Sequence, residues 1–116
     1  MVCVTGQRSC DRLIARGQER KGAETKLYVV HCVHTGKNFL DNPDEADAVE
    51  YLFTAAQLAG GELSMIRSDD VVDSLVQFAN EHKIELIIMG ATPTPGESII
   101  TKLQRQLIDV EFDIIG

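Results

Sequence analysis

Five short runs rich in valine and isoleucine alternate with longer stretches of helical period: "MVCVT", "KLYVVHCVH", "ELSMIR", "IELIIMG" and "VEFDII". This alternation predicts β-α-β units and a parallel sheet. The first, second and fourth runs are almost continuously apolar, as strands covered by helices on both faces should be. The third and fifth alternate, which suits edge strands. Right-handed crossovers from the first strand to the second and third, then a return to the other side of the first for the fourth and fifth, give the order 3-2-1-4-5. The expected fold is therefore an α/β domain, a five-stranded parallel sheet with helices on both faces.

Four apolar stripes mark the helices. They are Cys10, Leu13, Ile14 and Gly17; Val49, Leu52, Phe53 and Ala56; Val72, Leu75, Val76 and Ala79; and, more weakly, Ile99, Ile100, Leu103 and Leu107. "NPDE" starts the second helix with Asn42 as N-cap, Pro43 at the first position and Glu45 reaching back. Gly60-Gly61 stops it.

A chain of 116 residues is sized for one core, so residues 1–116 read as a single domain. An apolar share of 44% against 25% charged residues leaves no room for wholesale disorder or a fibrous class. The net charge of −7 opposes nucleic-acid phosphates and anionic lipid heads, and neither is an expected partner. The most basic run, "RLIARGQERK", reads as a solvated helix face. Cys3, Cys10 and Cys32 form an odd set without C-x-x-C spacing, as expected of reduced thiols in a cytoplasmic protein. There is no signal-peptide pattern and no spanning run of about 18 apolar residues. The chain starts and stops on strands, as a domain cut from a longer chain would.

In the order 3-2-1-4-5 the first and fourth strands are neighbours whose connections leave in opposite directions. The crevice at their carboxyl ends is the expected ligand site. Its candidate lining is Thr5, Gly6, Gln7, Arg8 and Ser9 on one side and Gly90, Ala91 and Thr92 on the other, with His34 at the end of the second strand. Gly6 permits close backbone approach, and Thr5, Gln7, Arg8 and Ser9 offer donors near a helix start. The same residues also suit a plain turn in which Ser9 caps the first helix. The opposite loop, "GATPTPGES", is poor in phosphate donors. Pro93 and Pro95 lack N–H groups, no lysine follows, and Thr94, Pro95 and Glu97 cap the next helix as "NPDE" caps the second.

Other chemistry is thin. His31 and His34 are an odd number apart on a strand and point to opposite faces, so "HCVH" is no metal motif. His31 reads as a hydrogen-bonded core residue and His82, in the last turn of the third helix, as explained by the dipole there. No nucleophile is tied to a base, and neither catalysis, a metal nor a cofactor is expected.

The stretches "VCVTGQRSCDRLIARGQE", "LYVVHCV" and "TAAQLAGGELSMIRSDDVVDSLVQFANEHKIELIIMGAT" together resemble a universal-stress-protein domain. They are most similar to the variety found in KdpD, the sensor histidine kinase of the Kdp potassium system. The resemblance implies a five-stranded α/β domain with a regulatory role in two-component signalling. Its members that bind ATP carry Gly-x-x-Gly-x9-Gly-(Ser/Thr) after the fourth strand. Counted from Gly90, this chain has Pro93, Leu103 and Gln104 at the later positions. The acidic residue usual at the end of the first strand is replaced by Thr5 or Gly6. The cyclic di-AMP motifs of some KdpD domains meet only Thr5-Gly6-Gln7 and Leu27-Tyr28-Val29-Val30-His31, a poor fit. The resemblance thus implies a non-catalytic sensory domain, with a nucleotide-binding stress protein or enzyme of the same superfamily as the alternative. Expected partners are a small ligand or nucleotide in the crevice, and a second copy or a neighbouring domain along the fifth strand.

Overall fold

The structure, a computed structural model, describes residues 1–4, 7–21, 26–36, 45–90 and 99–115, with side chains for all of these but 7–10, 45 and 48. The elements follow the expected alternation: β1 (Val2–Cys3), α1 (Gln7–Arg20), β2 (Leu27–His34), α2 (Glu45–Leu58), β3 (Gly61–Ser68), α3 (Val71–Glu81), β4 (Leu86–Gly90), α4 (Ile99–Gln106) and β5 (Glu111–Ile115). Among the described residues the sheet has five strands in the order β3-β2-β1-β4-β5, all parallel.

Alternation along the strands splits the core into two layers. On one face α1 and α2 bury Val2, Val4, Leu27, Val29 and Ile88 beneath Leu13, Ile14, Leu52 and Ala56. On the other, α3 and α4 cover Cys3, Val30, Ile87 and Met89 with Leu75, Phe78, Ala79 and Leu103. β1 is short but central, and Val2 pairs with Val29 on one side and Ile88 on the other.

Gly17 lets α1 lie close to the sheet. A Cβ there would stand 2.5 Å from Val2 Cγ2 and 2.9 Å from Leu27 Cδ1, nearer than side chains pack. α2 ends as expected, with Gly60 at φ 76° and its N–H donating to the Gln57 carbonyl at 3.0 Å. The expected cap at Asn42 and Pro43 lies outside the described residues.

Four expectations change. Phe53, assigned to the core stripe of α2, is 52% exposed; the helix is turned so that Leu52 and Ala56 are buried while Ala55 and Ala59 pack at the margin. In α3, Phe78 joins Leu75 and Ala79 in the core, and Val72 and Val76 are only half-buried. Ser9 does not cap α1, because that helix already begins at Gln7. The basic run is not simply solvated. Arg16 donates to Asp113 at 3.1 Å, and Arg20 to Asp113 at 3.2 Å and Glu111 at 2.6 Å, tying α1 to β5.

Candidate functional site at the carboxyl ends of β1 and β4

Parallel strands deliver their loops to one rim of the sheet, and the rim opens where the chain order reverses. Here that point lies between β1 and β4, with Cys3 paired to Met89. Beyond this pair Val4 continues β1, its N–H donating to the Val30 carbonyl at 3.0 Å, and Gly90 ends β4.

The candidate residues fall into three groups. Thr5, Gly6, Ala91 and Thr92 lie outside the described residues, as do Pro93, Thr94, Pro95 and Glu97. Gln7, Arg8 and Ser9 form the first turn of α1, so the groups they place at the rim include backbone N–H donors of a helix start. Such donors have no partner within their helix and carry the positive end of its dipole. No acidic residue stands in that turn, whereas α3, whose N-terminus follows the end of β3, is closed by its own acid. Asp70 accepts the Asp73 N–H at 3.0 Å and Asp73 occupies the first turn.

Gly90 and His34 complete the set. A Cβ on Gly90 would meet only Leu13, at 3.9 and 4.0 Å, so packing among the described residues does not demand glycine there. His34 is exposed at the end of β2, one strand over from β1, with Nδ1 donating to the Thr35 carbonyl at 2.9 Å. The structure thus brings Gly90 and the first turn of α1 to the same rim.

His31, read as a hydrogen-bonded core residue, is 1% exposed and its Nδ1 donates to the Val4 carbonyl at 2.6 Å, which fixes the residue just beyond β1. The hydrogen bond was legible, since a histidine buried in an apolar strand must find a partner. Leu27, Tyr28, Val29 and Val30, the positions set against a cyclic di-AMP motif, are core: Tyr28 is half-buried and the other three are buried. Tyr28 packs edge-on against Phe78 at 5.7 Å and beside His82 at 4.8 Å. His82 itself donates to the Phe78 carbonyl at 2.9 Å, at the C-terminus of α3 as expected.

Neither Cys3 nor Cys32 is held as a thiolate. Burial pushes Cys3 up to about 12 and raises Cys32 as well. Among the described residues no group of three His, Cys, Asp or Glu side chains is placed to hold a metal, and no helix is long and apolar enough to cross a membrane.

No protein-family profile matches the chain, and no curated protein sequence does. Among solved structures, a universal stress protein in complex with cAMP superposes with a TM-score of 0.64 at 21% identity, covering 98% of this chain and 94% of that one. The chain has the universal-stress-protein fold.

Proposed function

We propose that this chain is a non-catalytic regulatory domain of universal-stress-protein type, serving as a sensory part of Kdp-like potassium signalling. The observation that carries the regulatory reading is the β1/β4 crevice. Its rim carries a helix whose first turn has no acidic residue, and a Gly90 whose added Cβ would meet only Leu13 among the described residues. Backbone N–H donors of a helix start suit the binding of a small anionic ligand, and the non-catalytic part of the reading follows the sequence resemblance. The Kdp-like assignment rests on the segments of α1 and of β3 through β4 quoted above. Coding sequence that continues into membrane helices and a histidine-kinase core supports it, and stop codons on both sides overturn it.

A second reading, a nucleotide-binding stress protein, is favoured by one observation: a protein of the same fold was solved with cAMP. A cyclic monophosphate has one phosphate to satisfy, and the first turn of α1 offers N–H donors for it. A triphosphate needs the glycine-rich second loop, where this sequence has Pro93 and Pro95. Calorimetric titration separates the readings. With Mg-ATP no saturable heat is expected, and a dissociation constant of a few micromolar, about −7 kcal/mol, would overturn the first reading. Saturation by cAMP that Gly90→Val abolishes, with the circular dichroism spectrum unchanged, would establish the second.

Association through β5 belongs to the same proposal. Among the described residues β5 pairs with β4 only, which leaves an outer edge of backbone donors and acceptors. Within β5 Ile114 is 37% exposed, and Ile108, in the turn that precedes the strand, is 82% exposed. A second copy, or a neighbouring domain, would cover both the edge and these side chains.

A further inference from the structure

A second concave surface lies on the outside of the α1/α2 layer, in the furrow between the two helices. It is open to solvent, with a volume of about 620 Å³. Ile14, Ala15, Ala55 and Ala59 line it with apolar surface, and Leu58, 82% exposed, stands in it. The small side chains leave room for another backbone to come close, as at packed helix pairs. The lining also includes Asp11, Asp47 and Glu50 and, among the described residues, no lysine or arginine. The Tyr51 hydroxyl donates to the Asp11 carboxylate across the furrow, joining α1 to α2.

We propose that this groove docks a basic amphipathic helix of a partner protein. Three observations select that occupant. The floor is apolar and presents an exposed leucine, which fits a helix carrying apolar anchors at i, i+3, i+4 and i+7. From Asp11 to Gln18 the furrow follows α1 for about 10 Å at 1.5 Å per residue, the length of roughly two helical turns. The carboxylates match lysines and arginines on the flanks of such a helix and disfavour an acidic one, and the net charge of −7 draws it in from a distance. The surface is distinct from the crevice, which opens at the strand ends.

The test uses the whole chain and two fluorescein-labelled helical peptides of 15 residues with the same leucine stripe, one with lysines on its flanks and one with glutamates. Anisotropy should rise to saturation with the lysine peptide and show at least tenfold weaker binding of the glutamate peptide. Thr54→Arg and Leu58→Arg alter exposed side chains of the groove, so the fold should survive. Each should weaken the lysine peptide tenfold or more, while Glu62→Arg and Glu81→Arg, outside the groove, should change it less than twofold. Equal affinity for both peptides, or wild-type binding by the groove variants, overturns the proposal. So does sedimentation of the wild type as a dimer that Leu58→Arg dissolves, because the occupant is then a second copy.

Discussion

Arg16 and Asp113 stand 97 positions apart in the sequence and meet at 3.1 Å, the guanidinium of α1 against a carboxylate of β5 that is only 14% exposed. Arg20, one turn on, reaches the same carboxylate and Glu111 as well. Both acids of β5, Glu111 and Asp113, are therefore paired from within the molecule by guanidinium groups of α1. Local periodicity cannot show such a pairing, because nothing in the spacing of one helix names its partner a whole domain away.

Asp113→Ala should lower stability by about 1 kcal/mol, since Arg16 is itself 42% exposed and water screens the pair. In a double-mutant cycle with Arg16→Ala the coupling should be about 0.5 to 1 kcal/mol and shrink in molar salt. Urea denaturation measures both. Strict additivity would mean that the contact contributes nothing.

Gly17→Ala should destabilise, although alanine is the better helix former by about 1 kcal/mol. The new methyl meets Val2 Cγ2, and Val2 is fully buried and stiff. Overpacking of this kind costs about 1 to 3 kcal/mol, so a net loss is expected. Val2→Ala in the same chain should recover part of it, and thermal melts of the three variants decide the matter.

Alkaline pH should weaken the fold through Cys3. The folded thiol titrates near 12, above its ordinary value of 9.0, so between those values the unfolded chain gives up a proton that the folded chain keeps. Stability is then fully present below pH 9 and falls as pH rises, by about 1.4 kcal/mol per unit. Cys3→Val removes this slope, and the difference between the two proteins from pH 8.5 to 11 isolates it. In the native state Ellman's reagent should react with Cys32, which is half-buried, well before Cys3.

Ile114→Pro removes an N–H from β5 and should reduce any self-association seen by sedimentation at tens of micromolar. A wild-type monomer at that concentration, or a proline variant that stays dimeric, would place the interface elsewhere.

The strand order was legible because continuous apolar runs mark central strands and alternating ones mark edges; β3 and β5 are indeed the edges. Gly60 and His31 were legible because a helix end and a buried polar group each admit few residues. Phe53 misled because its spacing from Val49 and Ala56 fits a helical face one residue round from the buried one. The buried face is instead formed by Leu52 and Ala56 with Ala55 and Ala59 at its margin, and the phenyl ring stands outside it. At the crevice, topology located the rim but not the helix start. Ser9 suits an N-cap, but α1 begins two residues earlier, at Gln7. The cap at Asp70 went unread for a related reason, since Asp69 and Asp70 are alike in sequence and only the geometry of the turn from β3 selects one.

The place of β1 also bears on how the chain acquires its fold in time. β1 with β2, β2 with β3, and β4 with β5 join segments that follow one another in the chain, so each pair assembles from local encounters. The pairing of β1 with β4 instead spans the domain, from Val2 to Ile88. β1 therefore gains its second neighbour only once the chain as far as residue 90 is in place, and this long loop closure sets the pace of folding.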